Sequence, residues 1–343
     1  MRRFIAIGTF LIVLVTFSSY TYFRTFNATE AEAHGFDFEF KGVNLVAPIS
    51  EWSDHLPDEF IRSNINAVAL NPYAFVSMEE GTVSYNTSRQ WWGEKTEGIR
   101  ECAGKLHTAG FRLMLKPHMW VNHQMYTGDL KFSSEEAWTT FENEYRVYII
   151  DFARLAEDQG IEVFCIGTEL REAVATRPEY WTRLIREIRS VYHGKLTYAA
   201  NWDEYDKVPF WTSLDFIGID AYFPLSGSDT PSVEELKRSW RSWMLRIDNF
   251  QKGYKKYILF TEFGYRNTNR CAQEPWKEDN EIVNYQAQMN AYEALFQSFS
   301  WKPWFAGGFA WKWYSDDYFK KGIDIDFTPQ GKPATGVLEK WYR

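Results

Sequence analysis

Two stretches of the chain end an apolar run with a threonine followed by a glutamate. They are EVFCIGTE, which ends at Glu169, and YILFTEFGY, which contains Glu262. A carboxylate buried without a partner at the end of a core strand is costly, so a single example would indicate a surface charge or a structural ion pair. Because the pattern occurs twice, it favours chemistry that uses two carboxyl groups.

Cleavage of a glycosidic bond is a reaction that requires two facing carboxyl groups. One of them protonates the leaving oxygen, while the other attacks the sugar or activates water. A separation of about 5–5.5 Å allows direct attack with retention of configuration, and about 6.5–9.5 Å leaves room for water and gives inversion. The spacing in the sequence is compatible with either outcome.

Short apolar stretches rich in β-forming residues alternate with longer segments of helical periodicity. The predicted strands are FKGVNLV (40–46), NAVALNPY (66–73), FRLMLKPHMW (111–120), EVFCIGTE (162–169), LTYAANW (196–202), LDFIGIDAY (214–222), YILFTEFGY (257–265) and FAGGFAWKW (305–313). The clearest helical segments are about 95–109, 134–159, 178–193, 232–252 and 281–299. Nearly continuous apolar strands are expected when both faces of a parallel sheet are covered.

Eight strand and helix units of this kind predict an α/β fold, a (β/α)8 TIM barrel. The structural alternative is a doubly wound open sheet, which normally carries a glycine-rich phosphate loop after its first strand. The stretch GVNLVAPISEW contains no GxGxxG motif at that place. In a barrel with sequential strand order the fourth and seventh strands lie opposite each other, so Glu169 and Glu262 are expected to converge on one ligand.

Polar or aromatic residues stand at the ends of all the predicted strands, where a TIM barrel forms its active site. Besides the two glutamates, these candidates are Asn44, Asn71, Tyr73, His118, Trp120, Asn201, Trp202, Asp220, Tyr222, Trp311 and Trp313. We expect them to line the site and contact substrate. For the tyrosine, tryptophan and histidine candidates, packing or a structural hydrogen bond is the alternative.

The composition narrows the class of ligand. The chain has 343 residues, of which 45% are hydrophobic and 24% charged, and is long enough for one large core. Its net charge of −8 argues against nucleic acid, because phosphate binding relies on clustered lysine and arginine. The aromatic content of 18% favours sugars, since tryptophan and tyrosine offer flat apolar faces with polar edges.

The residue pattern indicates neither a metal nor another cofactor. His118, His123 and His193 fit no common metal-binding spacing, so we expect no catalytic metal. The three cysteines form no CxxC motif and are expected to be buried free thiols.

The N-terminal segment 1–23 predicts a signal peptide or a membrane anchor. It begins with Arg2 and Arg3 and continues with an apolar run from Phe4 to Phe17, which with its aromatic flank is close to the ~20 residues that span a bilayer. Positive residues at the start place the remainder outside the cytoplasm, so we expect an exported protein, anchored or secreted. Residues 24–36 then predict a polar linker, and 37–343 the catalytic domain.

Three motifs carry a resemblance to a known family. The stretches IGTELRE, DFIGIDAYFPL and TEFGYR…EPW resemble glycoside hydrolase family 113, whose known members are largely β-1,4-mannanases. Glutamates at the ends of the fourth and seventh strands are also typical of clan A of the glycoside hydrolases. The likeness covers about residues 37 to 343.

The resemblance implies that Glu169 is the general acid/base and Glu262 the nucleophile of a retaining double displacement. The first step needs a protonated Glu169, and proximity to anionic Glu262 is one physical reason for a raised pKa. The resemblance further implies that Tyr222 donates to the nucleophile and that Trp311 or Trp313 forms the floor of the subsite at the scissile bond. Alternation along a strand gives both tryptophans the same direction, so either fits.

One position departs from the pattern of the clan. Many members place asparagine directly before the acid/base glutamate, where it contacts the sugar 2-hydroxyl, whereas this chain has Thr168. Asn201 or His118 is then the candidate for that contact.

The function expected from the resemblance is that of a retaining, endo-β-mannanase-like hydrolase acting on a β-linked oligo- or polysaccharide of the mannan type. A β-glucanase or an exo-acting β-mannosidase is the alternative on the same scaffold, because loops set the sugar. A non-catalytic carbohydrate-binding barrel is the alternative from another class, although it has no physical reason to pair two glutamates.

Overall fold

Eight parallel strands close into a barrel in the computed structural model. The strands in chain order are β1 (Phe40–Leu45), β2 (Ala67–Leu70), β3 (Tyr73–Val76), β4 (Val83–Ser84), β5 (Arg112–Leu115), β6 (His118–Trp120), β7 (Val163–Thr168), β8 (Lys195–Asn201), β9 (Phe216–Asp220), β10 (Tyr257–Phe263) and β11 (Phe305–Trp313). Around the barrel the hydrogen-bonded order is β1-β11-β10-β9-β8-β7-β5-β2, and β2 pairs with β1 to close it. The predicted (β/α)8 TIM barrel is confirmed.

The structure describes only part of the chain. The described residues are 38–51, 56–121, 125–278, 282–315 and 325–343. The predicted signal or anchor segment, the predicted linker and His123 lie outside them, so export stays a prediction. Within the described ranges, no helix has both the length and the apolar character needed to cross a membrane.

Helices pack around the barrel. They are α1 (Leu56–Arg62), α2 (Thr96–Thr108), α3 (Glu135–Asp158), α4 (Arg171–Thr176), α5 (Pro178–Val191), α6 (Val233–Tyr254), α7 (Tyr285–Phe299) and α8 (Pro333–Tyr342). Three of them begin at a side-chain cap: Ser134, Ser232 and Asn284 each accept a hydrogen bond from the backbone N–H three residues later. Such caps satisfy N–H groups that the first turn leaves unpaired.

The apolar core has two layers. Inside the barrel lie Phe40, Ala67, Ala69, Met114, Val163, Phe216, Leu259, Ala306 and Phe309. The larger layer fills the space between the outside of the strands and the helices. Because both faces of each strand are covered, the strands read as continuous apolar runs in the sequence.

Two predicted strands are wrong in extent, because each breaks at a proline. The stretch 66–73 divides at Pro72 and the stretch 111–120 at Pro117, where the missing N–H interrupts the ladder. Beyond the breaks, β3 and β6 pair with each other and, with β4, form a small three-stranded sheet outside the barrel. Tyr73 and His118 are partners in this sheet.

Candidate active site

A cavity of about 620 Å³ lies at the carboxyl ends of the barrel strands, and Glu169 and Glu262 both line it. It is lined by Tyr73, His118, Met119, Tyr126, Thr127, Thr168, Glu169, Arg171, Asn201, Trp202, Asp203, Tyr222, Glu262, Trp276, Glu278, Trp311 and Phe327. Its volume falls within the range typical of small-molecule sites. The convergence of Glu169 and Glu262 that the strand order predicted is therefore present.

Glu169 directly follows β7 and has a φ of 52°, in the left-handed region that is unfavourable for residues other than glycine. Its backbone N–H donates to the carbonyl oxygen of Ala199 in the neighbouring strand at 2.8 Å. Burial raises the pKa of Glu169 well above the usual value of a glutamate, and the charges of Asp220 and Glu262 raise it further. A raised pKa favours the protonated form of this carboxyl group.

Glu262 lies within β10 and is held by donors on both carboxylate oxygens. The Lys116 ammonium forms an ion pair with Oε1, and the Tyr222 hydroxyl donates to Oε2 at 2.6 Å. A cation on one oxygen and a hydrogen-bond donor on the other fix the orientation of the carboxylate. The two glutamates of one cavity therefore have opposite surroundings.

A buried cluster beneath Glu262 consists of Lys116, Asp220 and Thr261. The Lys116 Nζ lies 3.5 Å from Oδ1 of Asp220, and the Thr261 hydroxyl donates to the same oxygen at 2.7 Å. Burial lowers the pKa of Lys116, but Asp220 and Glu262 outweigh this effect and raise the pKa overall. Burial and the charge of Glu262 raise the pKa of Asp220.

Lys116 was missed by the sequence analysis. Its only signal is a lysine inside the apolar stretch FRLMLKPHMW, where a buried charge requires a partner. The side chain is fully buried, and its partners are 104 and 146 positions away.

His118, Tyr73 and Trp311 form the wall of the cavity next to Glu262. The His118 Nε2 lies 3.9 Å from Oε1 of Glu262, and its ring centroid lies 5.0 Å from Tyr73 and 6.1 Å from Trp311. Burial lowers the pKa of His118 well below its usual value, and Lys116 lowers it further. The imidazole is therefore neutral.

The wall next to Glu169 is built from residues that follow β7 and β8. Asn201 accepts a hydrogen bond from the Trp202 N–H at 2.9 Å. Arg171 forms an ion pair with Asp129 and another with Glu204, the latter at 3.1 Å between Nη1 and Oε1. Thr168, which replaces the asparagine of the clan, lines the cavity, and its hydroxyl donates to the carbonyl of Pro117 at 3.4 Å.

Five predicted substrate-contacting residues are not at the cavity. Asn44 is fully buried and donates to the carbonyls of Thr261 and Phe309, each at 3.1 Å. Asn71 is buried and donates to the carbonyl of Leu45 at 3.1 Å. Both amides therefore bond to the backbone of other strands.

The other three corrections are Asp220, Trp120 and Trp313. Asp220 is fully buried beneath Glu262 and reaches substrate only through other residues. Trp120 lies in the small sheet and packs against Phe75. Trp313 is buried against Phe60 in the outer core, because the register of β11 against β1 shifts after Ala310 and ends the alternation that would have kept it on the side of Trp311.

No metal site is formed by the described residues, among which no three His, Cys, Asp or Glu side chains cluster suitably. His118 lies in the cavity wall, whereas His193 pairs with Glu157 at the surface.

The parallel barrel brings two glutamates with different surroundings into one cavity. This arrangement is typical of a glycosidase active site. The family model of Glycoside Hydrolase Family 113 matches residues 50–332. The chain belongs to this family and is a glycoside hydrolase.

Solved structures of similar fold include two β-mannanases. A GH113 β-1,4-mannanase, solved as a complex, is 24% identical, with 89% of this chain and 99% of its own covered at a TM-score of 0.75. The GH113 β-mannanase AaManA from Alicyclobacillus acidocaldarius, solved in complex with ManMIm, is 23% identical, with 91% and 98% covered at a TM-score of 0.76.

A more distant similarity extends to the β-glucuronidase of Bifidobacterium dentium. It is 14% identical, with 90% of this chain and 47% of its own covered at a TM-score of 0.57. At these identities the structural likeness concerns the fold alone. No match was found among curated protein sequences.

Proposed function

We propose that this glycoside hydrolase cleaves β-1,4-mannosidic linkages with retention, by double displacement. The observation that carries the proposal is the contrast between Glu169, whose raised pKa suits an acid, and Glu262, whose two donors suit an anionic nucleophile. The mannan type of substrate is supported by the family and by its two β-mannanase relatives.

In the first step, Glu169 transfers its proton to the glycosidic oxygen as Glu262 attacks the anomeric carbon. The bond to the leaving sugar breaks, and an ester forms between the remaining sugar and Glu262. The Lys116 ammonium and the Tyr222 hydroxyl hold the attacking carboxylate in place before the bond forms. The leaving sugar departs with the proton.

In the second step, Glu169 is an anion and removes a proton from water, which attacks the anomeric carbon. The ester bond breaks, and Glu262 leaves as a carboxylate. Because esterified Glu262 has no charge, one of the causes that raise the pKa of Glu169 is absent at this stage. A single residue can therefore act first as acid and then as base.

Trp311 is the proposed stacking surface for the sugar that becomes attached to Glu262. Its ring lines the cavity beside His118, and the Lys116 Nζ lies 5.7 Å from its centroid. Tyr73, His118 and Asn201 also line the cavity and offer polar groups to this sugar. Asn201 or His118 is the proposed contact of its 2-hydroxyl.

The nucleophile is tested with Glu262→Ala. We expect this variant to lose hydrolysis of mannotetraose, and azide to restore turnover by giving a glycosyl azide of inverted configuration. Glu179→Ala, which changes an exposed glutamate on α5, is the matched control and should retain the native rate. A near-native rate for Glu262→Ala would rule out the assignment.

Specificity and stereochemistry are tested on the wild type. Manno-, gluco- and xylo-oligosaccharides of equal length are compared, and NMR identifies the anomer of the first product. We expect cleavage of the manno series with a β product. Cleavage of only the gluco series would contradict the mannan assignment, and an α product would contradict retention.

A further inference from the structure

Two segments at the amino-terminal ends of neighbouring barrel strands are rich in aromatic and basic residues. They are QKGYKKY (251–257), at the junction of α6 and β10, and SWKPW (300–304), which joins α7 to β11. Trp301 is 62% exposed and Tyr257 is 54% exposed, so much of both rings lies in solvent. Single exposed apolar residues are common, but large rings set among lysines on adjacent segments indicate a surface that contacts a partner.

The two segments lie side by side. Strands β10 and β11 are paired, and the backbone N–H of Ile258 donates to the carbonyl of Trp304 at 2.8 Å. The Lys302 Nζ lies 3.7 Å from the ring centroid of Trp301 and 6.0 Å from that of Trp304, within the range of cation–π contacts. The exposed residues of both segments form one surface, which we call the aromatic–basic surface: Lys255, Tyr257, Trp301 and Lys302.

The local charge is positive, although the net charge of the chain is −8. The two segments contain four lysines and no acidic residue. Asp248, one turn earlier on α6, pairs with Lys252 at 2.7 Å and so offsets one of these charges. Lysines near an anionic bilayer are attracted to its surface, and tryptophan and tyrosine favour the interface because their apolar rings carry a polar edge.

The aromatic–basic surface lies beside the point where the chain enters the barrel. Strand β1 pairs with β11, and Phe38, the first described residue, packs against Phe305 with ring centroids 5.8 Å apart. Phe305 directly follows the SWKPW segment. The sequence before Phe38 contains the apolar run from Phe4 to Phe17, which predicts a membrane anchor. A chain that leaves a bilayer would therefore reach the barrel next to the exposed rings.

The cavity that contains Glu169 and Glu262 lies at the other end of the barrel, at the carboxyl ends of the strands. We propose that the aromatic–basic surface docks on a bilayer that contains anionic lipid. The lysines contact phosphate headgroups, and Trp301 and Tyr257 enter the interface. Docking at the amino-terminal end leaves the cavity open to substrate, and it is independent of the proposed cleavage of mannan.

The test uses the full-length chain reconstituted into vesicles of phosphatidylcholine with phosphatidylglycerol, or of phosphatidylcholine alone. Pro303→Cys places a thiol for an environment-sensitive fluorophore in the SWKPW segment, where residue 303 is exposed, and the three native cysteines are buried. We expect blue-shifted emission and quenching by nitroxide-labelled lipid when phosphatidylglycerol is present, and far less of both without it. Val147→Cys, 46% exposed on α3, carries the control label and should show neither change.

The contribution of charge is measured in the Pro303→Cys protein with Lys255→Gln and Lys302→Gln combined. One lysine near an anionic surface strengthens binding about fivefold, so the ratio of docked to undocked protein should fall about 25-fold. Lys131→Gln combined with Lys207→Gln is the matched control, because it removes the same charge from exposed positions outside both segments. This control should retain the ratio, and circular dichroism checks that both variants are folded.

Four results would overturn the inference. They are equal signals from the labels at positions 303 and 147, no quenching at position 303, equal quenching in both kinds of vesicle, and a full-length chain that floats with neither kind. A label at position 303 that responds to soluble mannan without vesicles would assign the aromatic–basic surface to a polysaccharide instead of a bilayer.

Discussion

The hydroxyl of Tyr222 donates a hydrogen bond to Oε2 of Glu262 across 2.6 Å, while Lys116 occupies the other carboxylate oxygen. Tyr222 and Glu262 are each only 7% exposed. A short hydrogen bond on one oxygen and an ion pair on the other fix the direction of the carboxylate. The proposed nucleophile is therefore positioned before substrate binds.

Tyr222→Phe removes this hydrogen bond without removing the ring. We expect kcat/KM to fall about 10- to 100-fold, the loss that corresponds to one hydrogen bond to a charged group. Tyr265→Phe is the matched control, since Tyr265 is fully buried and its hydroxyl has no hydrogen-bond partner among the described residues. Equal effects of the two substitutions in steady-state kinetics would show that the hydrogen bond to Glu262 is not used.

The pKa of Glu169 predicts the alkaline side of the pH profile. The acid is active when protonated, so kcat/KM falls as the pH rises through its raised pKa. Asp220 is one of the charges that raise this pKa, so Asp220→Asn should move the alkaline limb to lower pH. Asp158→Asn, at the exposed end of α3, is the control for the charge change. A limb that stays in place or moves to higher pH in Asp220→Asn contradicts the coupling.

The positions of Glu169 and Glu262 could be predicted because parallel strands of a barrel bring their carboxyl ends to one rim. The same rule was wrong for Asn44 and Trp313, which also stand at strand ends. Asn44 points into the barrel and bonds to the backbone of two other strands. Trp313 follows a shift in the register between β1 and β11, which no residue type in the sequence predicts. A position at a strand end therefore does not by itself predict the direction in which a side chain points.

The ion pairs of Lys116 could not be predicted from a single sequence. Its side chain is explained only by Asp220 and Glu262, which belong to strands on another part of the barrel. A pairing across such distances in the chain depends on closure of the whole sheet, so it has no local pattern. Pro117, in contrast, was visible, and it could have indicated that the third strand ends before His118.

Lys116→Met tests the buried cluster. Two carboxylates would lose their only described cation, and we expect the free energy of unfolding at neutral pH to fall by about 3–5 kcal/mol, as for other broken buried pairs. Hydrolysis should fall in parallel, because Glu262 would lose one of its donors. Urea unfolding and steady-state kinetics measure the two effects.

The pH dependence of this loss has a defined sign. Burial and Glu262 raise the pKa of Asp220 in the folded protein, and the charge of Lys116 opposes this rise, so without Lys116 the pKa of Asp220 should be higher still. Between pH 7 and pH 5 the folded Lys116→Met protein then holds more protons than the folded wild type, whereas the two unfolded chains hold the same number at Asp220. The stability of the variant relative to wild type should therefore rise as the pH falls. Lys116→Arg, which keeps the charge, should lack this gain. A pH-independent difference would contradict the role of charge.

Trp311 and Trp313 lie two positions apart and offer a paired test of site against core. Trp313 is 1% exposed and packs on Phe60, so Trp313→Ala should lower the free energy of unfolding by about 3–5 kcal/mol, with kcat of the folded fraction retained. Trp311 lines the cavity beside His118, so Trp311→Ala should chiefly lower kcat/KM. The loss should occur with β-mannosyl fluoride as well as with mannotetraose, because in the proposed mechanism Trp311 stacks on the sugar that stays on Glu262. Urea unfolding and kinetics on both substrates separate the two residues. The reverse pattern, a stable but inactive Trp313→Ala and an unstable but active Trp311→Ala, would exchange their roles.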